Sequence, residues 1–170
     1  KNEIIVSSVS ISWNNPDIGK SVVQAFDGNG NLIWTSPKFN GETTDCPLIA
    51  DLDKDNNKEI IYTTEGGIDM PSSRVYIFDN RGNLKIGPII VTQDLAFSTN
   101  QPSVGDIDGD GNKELVMTRT GNGGTYLIVL DSKGNYVSNS WAKKHMPIDI
   151  FTGGPLSVKS SLIDTNGDNI

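Results

Sequence analysis

The sequence predicts an all-β chain built from repeated four-stranded antiparallel sheets, and three observations lead there. First, an acidic loop recurs in one register: Asp51-Leu-Asp53-Lys-Asp55-Asn-Asn57-Lys-Glu59, Asp106-Ile-Asp108-Gly-Asp110-Gly-Asn112-Lys-Glu114, and Asp164-Thr-Asn166-Gly-Asp168-Asn-Ile170. Second, a turn signature repeats at intervals of 52 residues, at Asp27-Gly-Asn-Gly30-Asn31, Asp79-Asn-Arg-Gly82-Asn83 and Asp131-Ser-Lys-Gly134-Asn135. Third, no segment carries helical periodicity, while 18 Gly and 8 Pro suit a chain rich in turns.

The repeat sets the order of the elements. Asp51 and Asp106 lie 55 residues apart, Asp106 and Asp164 lie 58 apart, and 56 residues before Glu59 stands Glu3. Lys1-Asn-Glu3-Ile-Ile-Val then parallels Asn57-Lys-Glu59-Ile-Ile-Tyr, which predicts units of about 1–56, 57–112 and 113–170. Each unit reads as a short strand entering the acidic loop, a strand leaving it at Glu, a variable loop, a third strand, the turn, and a last strand. The strands leaving the loops are Glu59-Ile-Ile-Tyr and Glu114-Leu-Val-Met. Those before the turns are Ser21-Val-Val-Gln-Ala-Phe, Arg74-Val-Tyr-Ile-Phe and Thr125-Tyr-Leu-Ile-Val-Leu, rich in β-branched and aromatic residues. At each turn the Asp accepts backbone N–H groups and the Gly supplies a positive φ. A sheet made from about 55 residues cannot cover both of its faces, and radial stacking of such sheets makes the blades of a β-propeller. An irregular β-sandwich is the alternative, against which the fixed turn spacing counts. The chain opens and closes inside an acidic loop, so the expectation is a segment of a larger propeller, about three blades in a single unit 1–170.

Composition narrows the function classes. A chain of 170 residues with 35% hydrophobic content suffices for one domain's core. The formal charge of −7, with 14 scattered basic residues, argues against nucleic acid, whose phosphates need clustered Lys and Arg. No run reaches the roughly 18–20 apolar residues of a membrane-spanning helix. The chain starts at Lys1 without the basic and apolar regions of a signal peptide, so any export signal is expected outside it. The single Cys46 makes no intrachain disulfide and is expected to be a buried or half-buried hydrophobe.

Eleven of the 21 acidic residues, counting Glu3, fall at loop positions, so the acidity is local. Two divalent ions would bring −7 to −3, and a third to −1. Calcium accepts six to eight oxygen ligands at roughly 2.3–2.6 Å, and side chains at loop positions 1, 3 and 5, a carbonyl at 7 and Glu at 9 suit it. The candidate ligands are Asp51, Asp53, Asp55, Asn57 and Glu59; Asp106, Asp108, Asp110, Asn112 and Glu114; and Asp164, Asn166, Asp168 and Ile170. Gly109 and Gly111 let the second loop curl. Magnesium resists the dehydration such a shell demands, and zinc wants the His or Cys the loops lack. An EF-hand needs Glu at position 12, where Tyr62 and Met117 stand, and flanking helices. Solvated turns are the bland alternative, but four carboxylates within nine residues, twice over, repel without a cation.

Catalytic signatures are sparse. His145 is the one histidine and reads as a surface-loop residue, and no glycine-rich stretch ends in the Gly-Lys-Ser/Thr of a phosphate loop. Recognition is expected in the variable connections, where Trp13 and Trp141 sit among amides and are candidate contacts for a sugar ring. Trp34 aligns with Ile86 on a blade strand and reads as structural.

Pro47-Leu-Ile-Ala-Asp51 through Glu59-Ile-Ile and Pro102-Ser-Val-Gly-Asp106 through Glu114-Leu-Val resemble the FG-GAP/VCBS propeller repeats of integrin alpha-subunit heads and many secreted microbial proteins. The resemblance implies a calcium-binding propeller module, non-catalytic, that presents loops to a surface protein or a glycan in an adhesion or scaffold role. It implies an extracellular or cell-surface location, where calcium is abundant enough to fill weak sites. A similarity to the propellers of calcium-dependent rhamnogalacturonan lyases implies the alternative, part of a polysaccharide-active enzyme.

Overall fold

The computed structural model describes residues 2–10, 16–41, 46–65, 72–91, 98–99, 101–121 and 124–137. They form three antiparallel sheets. The first holds β1 (Ile4–Val9), β2 (Lys20–Phe26), β3 (Leu32–Thr35) and β4 (Phe39–Asn40), with β3 and β4 both on β2. The middle sheet runs β5 (Leu48–Ala50), β6 (Glu59–Thr64), β7 (Arg74–Phe78), β8 (Leu84–Ile90) in spatial order. The third holds β9 (Ser98–Thr99), β10 (Ser103–Gly105), β11 (Glu114–Gly121) and β12 (Gly124–Leu130), with β9 and β10 both on β11. No helix occurs among the described residues, and none is long and apolar enough to cross a membrane.

The middle sheet has the strand order read from the repeat, and the third keeps its register. Ala50 pairs with Glu59 and Gly105 with Glu114, so each acidic loop connects a hairpin that closes on its own glutamate. Ile60 pairs with Phe78, and Leu115 with Leu130, one residue past the loop's glutamate and one before the turn in both sheets. The turns are chemically identical. Asp27, Asp79 and Asp131 each accept two amides on Oδ1, at 2.8–2.9 Å, and the Asn side chain four residues on at Oδ2, at 3.0 Å. Gly30, Gly82 and Gly134 hold φ of 84°, 80° and 80°, the left-handed region that glycine enters without steric cost.

Stacking follows from strand alternation. Ile61, Val75 and Ile77 face the third sheet and pack with Leu115, Met117, Ile128 and Leu130. Ile60, Tyr62, Tyr76 and Phe78 point the other way and pack with Val23 and Phe39 of the first sheet. Successive residues of a strand project to opposite faces, so a sheet buried on both sides reads as a continuous apolar run, and every residue of β6 is buried. Phe39 fills the seam between first and middle sheets, its ring centroid 5.2, 4.6 and 5.3 Å from those of Tyr62, Tyr76 and Phe78. The Tyr76 hydroxyl crosses the same seam and donates to the Asn40 carbonyl at 2.7 Å.

The turn glycines do a second job at these seams. A Cβ on Gly82 would overlap the Trp34 ring, and one on Gly134 would overlap Ile86 and Ile89. The first and middle sheets therefore each lay a side chain of the strand that follows their own turn on the turn of the next sheet, which gives Trp34 the structural role expected of it. Cys46 departs from expectation: it is exposed, because it precedes Pro47 and β5 at the sheet's end, where its carbonyl accepts the Gln101 side chain at 2.9 Å.

Candidate metal centres

The two complete acidic loops have one architecture. In each, the carboxylates at positions 1, 3 and 9 converge: Asp51, Asp53 and Glu59 in the first, Asp106, Asp108 and Glu114 in the second, each with oxygens mutually within 4.8 Å. The glutamate is fixed by its strand and by a backbone donor. The Leu52 amide donates to Glu59 Oε2 and the Ile107 amide to Glu114 Oε2, both at 2.9 Å. Glu59 and Glu114 are 2% and 3% exposed, so each loop closes on a nearly dry carboxylate.

The position-5 residues are placed differently. Asp55 Oδ1 accepts the Asn57 amide and Asp110 Oδ1 the Asn112 amide, both at 2.7 Å, so these side chains brace the turn of the loop. Those bonds hold the Asp55 carboxyl below its ordinary value; the Asn57 amide contributes most, then the Asn57 side chain, against burial. Asn57 also accepts the Asn80 side chain at 3.1 Å, and Asn112 donates to Asp110 Oδ2 at 3.2 Å. Curling is achieved by two routes. Gly109 and Gly111 take φ of 77° and 91°, and Lys54 and Asn56 take 60° and 67° at the same positions of the first loop.

The loops lie side by side. Leu52, 1% exposed, anchors the first loop in the seam between middle and third sheets, and its carbonyl accepts the Lys113 amide of the second loop at 3.1 Å. Glu3, in register with Glu59 and Glu114, is exposed. Asp164, Asn166, Asp168 and Ile170 of the third loop, Trp13, Trp141 and His145 lie outside the described residues.

Electrostatically the clusters are acidic and incompletely compensated. Burial pushes the Glu114 carboxyl above its ordinary value, the Ile107 amide pulls it back, and the charges of Asp108, Asp110 and Asp106 push it up again. In the first loop Asp51 Oδ1 is buried with no hydrogen-bond partner. A buried carboxylate oxygen left unsatisfied is costly, and an all-oxygen donor set around it fits a hard cation such as calcium. One residue of this site escaped the sequence reading. Lys85 places its Nζ 2.8 Å from Glu59 Oε1 and 2.9 Å from Asp53 Oδ2. The signal was present, since the same place after the other two turns is held by Ile33 and Val137.

Residues 51–117, which span both loops and the middle sheet's remaining strands, match the sequence model of the FG-GAP-like repeat. That stretch is similar to an FG-GAP-like repeat. Searches of the curated proteins and of the solved structures returned no match. The FG-GAP-like stretch begins on Asp51, ends on Met117 in the strand after the second loop, and so contains both carboxylate clusters. Together with the stacked four-stranded sheets, it makes this an all-β, β-propeller-type module with acidic groups able to hold a metal ion.

Proposed function

We propose that both complete acidic loops bind calcium, and that the chain is a calcium-stabilised, non-catalytic propeller module of an extracellular or cell-surface protein. In this reading its variable loops meet a surface protein or a glycan in an adhesion or scaffold role. The observation that carries it is the duplication: two three-carboxylate clusters at the same register of neighbouring sheets, each closed by a buried glutamate. Bound calcium ties the strand entering the loop to the strand leaving it and relieves the repulsion among Asp106, Asp108 and Glu114. The Asp164 loop completes the set as a third calcium site, and Trp13 and Trp141 are the loop residues assigned to ligand contact.

Further blades belong to this reading. Ile4 and Val6, 56% and 38% exposed, lie on the face of the first sheet turned away from the middle one. The middle sheet buries both of its faces against neighbours of its own kind, and another sheet of the parent propeller would cover Ile4 and Val6 in the same way. Calcium titration calorimetry on chelator-stripped chain tests the metal assignment. Saturable binding with dissociation constants of about 10⁻⁴–10⁻³ M, and weaker binding of magnesium, is the expected result. Absence of calcium heat would overturn it. New ultraviolet absorbance on incubation with a pectic polymer and calcium would replace the module reading with a lyase.

A further inference from the structure

The two loops differ in one respect that their sequences conceal. The Lys85 ammonium contacts two of the three converging carboxylates of the first loop, Glu59 and Asp53. Among the described residues no Lys or Arg forms an ion pair with Asp106, Asp108 or Glu114 of the second. Lys54 reaches across from the first loop and sets its ammonium beside Gly111 on the Asp106 side of the second loop, without forming an ion pair with any of those three.

Strand register explains the difference. Ile77 pairs with Ile86 and Phe78 with Leu84, so Lys85 is the extra residue of a β-bulge in β8. Bulges re-aim side chains, and this one turns a strand lysine onto the acidic loop. The first sheet has the corresponding bulge, with Ala25 paired to Trp34 and Phe26 to Leu32, and its extra residue is Ile33. In the third sheet Leu130 bridges to Tyr136 as Phe78 pairs with Leu84, which puts Val137 at the place of Lys85.

We propose that Lys85 is a resident counter-ion of the Asp51 loop that calcium must displace, so that the two loops fill in order, the Asp106 loop at lower calcium and the Asp51 loop at higher. The proposal rests on the calcium reading above. A divalent ion bound by Glu59 and Asp53 competes for the same oxygens as the ammonium and repels it, so the lysine leaves as the ion enters. Its side chain is 34% exposed and ends on a flexible stem, so departure needs no unfolding. Until then the first loop is partly compensated by the Lys85 ammonium, whereas the second has no such ion pair among the described residues. The module thereby responds to calcium in two steps.

Calorimetric calcium titration of the full 170-residue chain tests this with six variants. The phase lost in Asp53→Asn marks the first loop, and the phase lost in Asp108→Asn the second. In the unaltered chain the first-loop phase is expected to be the weaker. Lys85→Val, which installs the residue found at 137, tightens that phase about tenfold or more, the worth of one charged hydrogen bond, and leaves the other phase in place. Val137→Lys weakens the second-loop phase by a comparable factor. Lys85→Arg, which keeps the charge, leaves the first-loop phase weak, and Lys85→Gln replaces Lys85→Val if the latter does not fold. A first-loop phase as tight as the second, or one unmoved by losing the Lys85 charge, overturns the proposal while leaving calcium binding intact. No calcium binding by any variant or by the parent chain overturns the calcium reading itself.

Discussion

A single carboxylate organises each turn. Asp79 ties three donors from the next four residues to one side chain, and its neighbour Gly82 supplies the φ that closes the loop. Burial opposes ionisation of Asp79, but hydrogen bonds from Asn83 and Arg81 and the Arg81 charge outweigh it and hold the carboxyl below its ordinary 3.8. A lowered folded-state value means that the contribution is complete above 3.8 and is lost as pH falls through the lowered value. Asp79→Ala is therefore expected to cost about 1–2 kcal/mol at pH 7, read from the urea midpoint, and the gap to the parent chain should narrow well below pH 3.8. Gly82→Ala is expected to cost about 1–3 kcal/mol, because the new methyl faces both a left-handed φ and the Trp34 ring. An unchanged thermal midpoint in that variant would remove Trp34 from the turn. The turn itself was legible because every partner lies within five residues. The Trp34 contact was not, since a ring laid on a distant glycine leaves no periodic mark.

At the scale of the element, strand and loop depend on each other. β6 leaves the acidic loop at Glu59 and is buried along its length, so the glutamate that closes the carboxylate cluster is also part of a core strand. The repeat made β5 to β8 readable, because β-branched runs and turn residues alternate on a fixed count. It did not reveal β4, since Phe39 and Asn40 lie between Pro37 and Gly41 and read as loop. Yet Phe39 is the side chain that three aromatic rings of the middle sheet surround. Phe39→Ala is expected to cost about 3–5 kcal/mol, a larger loss than trimming an exposed Leu32 on the neighbouring β3. Equal midpoints for the two variants in urea unfolding would contradict the packing of the first sheet on the middle one. Lys85 belongs to the same scale: its type stood in the sequence, but only the bulge in β8 turns it toward Glu59 and Asp53.

For the molecule as a whole, three sheets are stacked with two acidic loops held next to each other by the Lys113 to Leu52 hydrogen bond. The stacking was legible in the repeat. Which residues face which neighbour was not, because the apolar run of β6 serves two seams at once and only pairing sorts Ile60 and Tyr62 from Ile61. The convergence of acidic side chains was legible from loop spacing only in part, since the structure gathers positions 1, 3 and 9 and turns Asp55 and Asp110 onto their own loops' amides. Calcium that binds the folded loops and not the unfolded chain must raise the melting temperature with concentration. The most direct measurement is thermal unfolding of the chain in excess calcium and in excess chelator. A rise of about 5 °C or more with calcium is expected, reduced in Asp108→Ala. Superimposable curves with and without calcium would contradict it.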